Sequence, residues 1–200
     1  MQVDLTAQTQ SFLERSGGLP VDLNVHVHNR ASVDSASAFA ATVQPHVERL
    51  RTMKVVVAEV RRLVKFLKPF DGFPELRELV IDYSSDDMED LELERPLELP
   101  KLHKLSLMGL LTLGDAGENA LKCANVVSLR ASFIHINQVK SLLQACPAVK
   151  ELDLEVGSST VTHPDEDTSV AELREKITAC RVKSLRITKV RTLNYLHNCS

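Results

Sequence analysis

The chain has 200 residues, of which 44% are hydrophobic and 26% charged; 24 basic and 27 acidic side chains leave a net charge of −3. This suits one domain or one stack of repeats, and it excludes collagen-like, disordered and mainly membrane-embedded chains. The slightly acidic balance argues against nucleic-acid binding by bulk charge, and the shortage of aromatics (no Trp, two Tyr, six Phe) predicts many small similar layers rather than one large aromatic core.

In chain order, Met1 to Gln10 hold an early Asp4 and no apolar run, so no secretory signal is visible. No stretch approaches the roughly 20 apolar residues of a membrane span. Residues 3–16 predict a helix that buries Leu5, Phe12 and Leu13. Ser16-Gly17-Gly18 ends it, because glycine is favoured just past a helix C-terminus. Pro20 then opens an extended segment with Leu23, Val25 and Val27. His26 and His28 share one face of that strand. Two histidines with a third ligand could hold a metal, but no Cys or acid stands at useful spacing, so the pair reads as a polar strand face.

Residues 59–70 predict an amphipathic helix, with Val60, Leu63, Val64 and Leu67 inward and Arg61, Arg62, Lys65 and Lys68 outward. That basic stripe fits a solvated helix face better than a nucleic-acid or membrane contact. Residues 84–98 carry seven acids against one Arg, which predicts a solvated loop or a weak amphipathic turn or, as the sharper alternative, an acidic docking segment. Short helices are expected at 117–124, at 137–146 (Val139, Leu142 and Leu143 inward, Asn137 as N-cap) and at 170–180. Residues 157–169 form a turn-rich insertion.

Between these pieces one pattern recurs, L-x-x-L-x-L. Its apolar sets are Leu50/Met53/Val55, Leu76/Leu79/Ile81, Leu102/Leu105/Leu107, Val126/Leu129/Ala131, Val149/Leu152/Leu154 and Val182/Leu185/Ile187, with Leu23/Val25/Val27 as a looser upstream member. From Met53 the central position recurs after 26, 26, 24, 23 and 33 residues. Leucine-rich repeats run at about 20–29 residues, so four intervals fit and the last carries the 157–169 insertion. Alternate strand residues face opposite ways; the last two apolar residues of each set therefore point into a shared core that stacking makes continuous. The expected fold is an α/β leucine-rich-repeat solenoid of the ribonuclease-inhibitor type. About six parallel strands line its concave face and helices its convex face. Residues 1–45 form the N-terminal helix and first strand, and 46–200 the repeat array. The array ends soon after a strand with no polar capping repeat, so it is expected to be incomplete at the C-terminus.

Four cysteines, Cys123, Cys146, Cys180 and Cys199, stand 23, 34 and 19 residues apart. Without a signal they read as reduced thiols of a cytoplasmic or nuclear protein. The first three are each expected to end a convex helix and to pack in the core. No phosphate loop, dinucleotide fingerprint, nucleophile elbow or zinc motif appears, so no enzyme activity and no cofactor are expected.

The residues that flank the core leucines would form the concave face. The rows are Thr52/Lys54/Val56, Glu78/Val80/Asp82, Lys104/Ser106/Met108, Ser128/Arg130/Ser132, Glu151/Asp153/Glu155 and Ser184/Arg186/Thr188. Their charge alternates from repeat to repeat. This is either an ordinary strand face with neighbouring ion pairs or a groove whose mixed charge selects one protein. The candidate partner-binding residues are Lys54, Asp82, Lys104, Met108, Arg130, Asp153, Glu155 and Arg186. Mixed sign disfavours a phosphate backbone.

The phrase S-F-L-E-R-S-G-G-L-P-V-D-L-N-V at 11–25 resembles a signature of mushroom-type fungal F-box/leucine-rich-repeat proteins. Leu13, Glu14, Arg15, Ser16, Gly17, Pro20, Asp22 and Leu23 match it, with Val21 where Leu is usual. Val47 to Arg51 matches the family's apolar-basic run loosely, and Pro74 to Ile81 and Pro100 to Leu107 match its strands. The resemblance implies the substrate-recognition repeats of a ubiquitin-ligase receptor, with an unknown target protein as partner. The F-box itself needs about 40–50 residues and does not fit before Leu13, so the cullin-ligase adaptor is a partner only if an F-box is supplied elsewhere. The alternative is a free-standing scaffold or inhibitor. Neither nucleic acid nor membrane is an expected partner.

Overall fold

A computed structural model describes residues 5–27, 33–84, 89–91, 93–109, 111–112, 121–134, 136–157 and 184–190. Helix α1 (Leu5–Arg15) leads to strand β1 (Val21–Val27), helix α2 (Val33–Val43), a 3-10 turn at Gln44–Arg49 and strand β2 (Leu50–Val57). Helix α3 (Val60–Leu67) precedes β3 (Glu78–Tyr83), and two short strands follow, β4 (Glu89–Asp90) and β5 (Leu97–Glu98). Then come β6 (Lys104–Met108), the short β7 (Leu111–Thr112) and β8 (Leu121–Lys122), and β9 (Ser128–Ile134). Helix α4 (Ile136–Ala145), β10 (Glu151–Gly157) and β11 (Ser184–Val190) complete the described chain.

The strands form where the apolar alternation predicts them, because period-two burial is satisfied only by extended backbone. β2 and β3 alternate buried with half-buried residues along their length. Seven strands make one open, wholly parallel sheet in the order β1-β2-β3-β6-β9-β10-β11, which is chain order. The register carries the repeat: Leu23, Met53, Leu79, Leu105, Leu129, Leu152 and Leu185 are successive Cα partners. Val25, Val55, Ile81, Leu107, Ala131, Leu154 and Ile187 form the next line. Met53, Leu79, Leu105, Leu129 and Leu152 are all buried.

A second device repeats just before the strands. Leu76, Leu102, Val126 and Val149 each donate a backbone hydrogen bond to the residue three before, Phe73, Leu99, Cys123 and Cys146, at 3.2–3.3 Å. The next residues, Arg77, His103, Val127 and Lys150, donate to the carbonyls of Arg51, Arg77, His103 and Val127 at 2.8–2.9 Å. Each turn thereby hands its register to the strand that follows.

The crossovers are of two kinds. α2, α3 and α4 are helical, and α2 packs against α1 and α3. Val139, Leu142 and Leu143 of α4 are buried as expected, while Asn137 lies inside the helix rather than at its cap. Between β3 and β6, and between β6 and β9, the described crossover residues are extended instead. β4 pairs with β7, and β5 with β8, so Leu121–Lys122 is strand and the helix expected at 117–124 does not form there. The acidic stretch 84–98 is likewise more than a solvated loop, because Leu91 and Leu97 are buried. Lys68 reaches Glu94 at 2.7 Å, and Arg95 pairs with Asp71.

Four further expectations change. α2 was not predicted, since its S-A-S-A-F-A-A run has little amphipathic contrast. Phe39, Phe66, Phe70 and Phe73 form a row with centroids 6.2, 5.6 and 4.8 Å apart, so four of the six phenylalanines do make an aromatic core. Arg62 leaves the basic stripe: it is 8% exposed and forks onto Glu59 at 2.8 and 3.1 Å. Phe12 is 58% exposed, although Leu13 is fully buried.

The L-E-R-S-G phrase is a helix stop. Ser16 Oγ donates to the Leu13 carbonyl at 2.8 Å, and Gly17 takes φ +56°, a left-handed conformation that suits glycine. Arg49 then donates to the carbonyls of Leu19 (3.0 Å) and Leu13 (3.3 Å) and to Ser16 Oγ. This ties α1 to the turn that opens β2. The expected helix at 170–180 and the insertion at 158–169 lie outside the described residues, as do Cys180 and Cys199.

Candidate functional site

The parallel ladder sets every exposed strand residue beside its counterpart, with strands about 4.8 Å apart. Three rows result. The first holds Asp22, Thr52, Glu78, Lys104, Ser128, Glu151 and Ser184. The second holds Asn24, Lys54, Val80, Ser106, Arg130, Asp153 and Arg186. The third runs His26, Val56, Asp82 and Met108, and resumes with Ser132, Glu155 and Thr188.

All eight candidate residues therefore stand on three adjacent rows. Lys104 and Arg130 are exposed; Lys54, Asp82, Met108, Asp153 and Glu155 are half-buried. Arg186 takes its place by backbone register opposite Asp153. Arg130 Nε lies 3.7 Å from Asp153 Oδ2, with 57% and 36% of the side chains exposed. A pair so wet contributes little to stability.

The third row is interrupted. Ser132 is 2% exposed, not part of the outer face. Its hydroxyl lies 3.5 Å from Met108 Sδ and accepts from Gly109 N at 3.4 Å. The register against β9 shifts just beyond this pair, between Glu155 and Val156. Met108 is thus partly committed to packing. Gly109 sits at φ +93°, and a Cβ there would overlap the Tyr83 carbonyl, so only glycine fits this crossing.

One feature of this face was not anticipated. At the start of β2, β3 and β6, Arg51, Thr52, Arg77, Glu78, Lys101, His103 and Lys104 line an open depression of about 600 Å³. Glu75 binds Arg51 and Lys101 there, and Arg51 also donates to the Glu75 carbonyl at 3.2 Å. The hydrogen bond from Lys101, then that from Arg51, holds the Glu75 carboxyl below the usual glutamate range. His103 Nδ1 is 2.6 Å from the Lys101 carbonyl, which makes it the donor. The signal was available in sequence: Arg51, Arg77 and His103 occupy one repeat position, two residues before the central leucine.

The cysteines show the same logic. Cys146 does follow a helix, but Cys123 follows strand β8. Both occupy the position held by Phe73 and Leu99 in other repeats, so stacking brings their sulfurs to 3.1 Å while both remain free and buried. The hydrogen bond with Cys123, and then burial, push the Cys146 thiol far above its ordinary value.

Among the described residues, no cluster of three His, Cys, Asp or Glu side chains is placed to hold a metal ion, and no helix is long and apolar enough to cross a membrane. His26 is exposed on β1; His28 lies outside the described residues. No protein-family model, curated protein or solved structure matches the chain.

Proposed function

We propose that the chain is a leucine-rich-repeat recognition module that captures a protein on the exposed face of its parallel sheet and performs no chemistry on it. The observation that supports this best is the register. Successive repeats of one apolar pattern set Lys54, Lys104, Arg130 and Asp153 on a common outer face, with Arg186 next to them by backbone register, while Met53, Leu79, Leu105, Leu129 and Leu152 are buried. Such a face offers fixed side chains of alternating sign on a rigid scaffold. That suits selection of a complementary protein surface rather than of a uniformly charged polymer.

The resemblance at 11–25 extends the proposal. By it, the module is the substrate-recognition part of an F-box-type ubiquitin-ligase receptor, acting in the cytoplasm or nucleus, with ubiquitin transfer left to other subunits. The structure assigns Leu13, Ser16 and Gly17 of that phrase a folding role, so the phrase supports the family reading without itself being a binding site.

The test is site-specific photo-crosslinking in cells that express the protein, with the crosslinker at Lys54 or Arg130 and, for comparison, at Arg61 or Lys65 of α3. A common partner trapped from the sheet positions and not from α3 is the expected result. Trapping from α3 alone would overturn the proposal. Ligase subunits recovered with that partner distinguish the receptor from a free-standing scaffold.

A further inference from the structure

The depression at the start of β2, β3 and β6 has a charge opposite to that of the chain. Arg51, Arg77, Lys101 and Lys104 stand there against Glu78, with Glu75 beside Arg51 and Lys101, on a molecule whose net charge is −3. We propose that this depression is a binding site for an acidic segment of the captured protein, a stretch of Asp and Glu side chains. The inference rests on the sheet face being a recognition surface and names the chemistry of what that surface takes.

Glu75 already shows which group this environment accepts. One carboxylate bridges Arg51 and Lys101 and holds both side chains at the rim. Arg77 and Lys104 are exposed, and among the described residues neither has an ion-pair partner. They offer an incoming carboxylate the same kind of donors, a guanidinium fork and an ammonium. The backbone amides of Arg77, His103 and Lys104 are spent on the preceding turns, so recognition is by side chains.

Dimensions favour several carboxylates over one dianion. Three strands span about 10 Å, and an extended peptide presents same-side residues about every 7 Å. Two or three acids of one segment therefore meet the depression. The cations come from three successive repeats rather than from one loop. Nucleic acid is disfavoured by the acids on the same face, Asp82, Asp153 and Glu155, which would repel a continuous phosphate backbone.

The experiment uses the full chain and a fluorescein-labelled peptide of about ten residues that alternates Glu with Ser, read by fluorescence polarisation. Binding is expected at roughly 50 mM salt and should weaken at least about tenfold at roughly 500 mM. The double variant Arg77→Glu/Lys104→Glu should lose at least about tenfold in affinity. Arg61→Glu/Lys65→Glu, which changes net charge equally but lies on α3, should stay within about twofold. Arg77→Lys/Lys104→Arg should retain most binding, and unchanged urea midpoints show that each variant is folded.

No binding at low salt, or equal loss in the α3 variant, would overturn the site. A single-stranded oligonucleotide of equal charge that binds as tightly through Arg77 and Lys104 would overturn the acidic-segment assignment. So would a phosphoserine peptide that binds far more tightly than the glutamate peptide. If the glutamate peptide fails while the sheet-face crosslinks persist, the acidic-segment inference falls and the recognition face stands.

Discussion

The crossover from β2 to β3 and the crossover from β3 to β6 join strands of identical register, and each separates central leucine positions by 26 residues. Their paths nevertheless differ. The first is helical, with Val60, Leu63, Phe66 and Leu67 of α3 buried. The described part of the second is extended, with Leu91 and Leu97 buried and Glu94 and Arg95 paired across to Lys68 and Asp71. The repeat therefore constrains the strand side through L-x-x-L-x-L and leaves the return path free. An amphipathic 3.6-residue stripe makes a helix there. A run dense in acids, which would crowd like charges on successive helical turns, makes short strands that pair with those of the next repeat.

The largest expected effect that sharpens this comparison is Phe66→Ala, which removes the centre of the aromatic row behind the helical crossover. It should cost about 3–5 kcal/mol in urea unfolding. A cost below about 1 kcal/mol would mean that the row is not part of the core.

Gly72→Ala probes the extended crossover. Gly72 bridges to Glu98, and an added Cβ would meet the Glu98 carbonyl and side chain. The expected cost is about 1–3 kcal/mol, and Gly18→Ala, where the space is open, is the comparison. Equal effects would remove the close approach as the reason for the glycine.

The sulfur contact predicts a pH effect. Cys146 ionises with more difficulty in the folded chain than in the unfolded one. Its contribution to stability is therefore full below the ordinary thiol value, about 8.5, and falls by at most about 1.4 kcal/mol per pH unit above it. The same contact shifts Cys123 the opposite way and the pair titrates as a unit, so urea midpoints from pH 8.5 to 10 should drop more for the native chain than for Cys123→Ala/Cys146→Ala. Parallel curves would refute the coupling.

The smallest effect is at Glu75, whose carboxyl is held below its usual range by Lys101 and Arg51. Its contribution is present above the ordinary glutamate range and is lost as pH falls through the lowered folded value. Because the side chain is half-buried and still reached by water, Glu75→Gln should barely move the midpoint at pH 7 and should flatten the acid limb slightly. A large loss at neutral pH would show that the Arg51–Glu75–Lys101 network supports the fold rather than the depression.

The strand positions were legible because each apolar set needs a common buried face, and Met53 through Leu154 satisfy it without knowledge of their neighbours. The outer rows followed by alternation alone. What escaped were features that depend on particular side-chain contacts rather than on periodicity. Arg62 reads as a surface cation until Glu59 is seen beside it. Ser132 reads as an outer-face residue until Met108 and Gly109 are seen against its hydroxyl. The basic depression could have been found by comparing Arg51, Arg77 and His103 at one repeat position, but its Lys101 and Glu75 come from the intervening turns.

By itself the sequence determined where the strands lie, which of their residues are buried, and which charged residues alternate along the outer face. These follow from two-residue periodicity, a local property. The tertiary structure alone decided that the described crossover residues on either side of β6 form short paired strands, that Cys123 meets Cys146, and that four cations from three successive repeats gather in one depression. Those outcomes depend on which repeat positions are stacked about 4.8 Å apart, a distance that the backbone ladder sets.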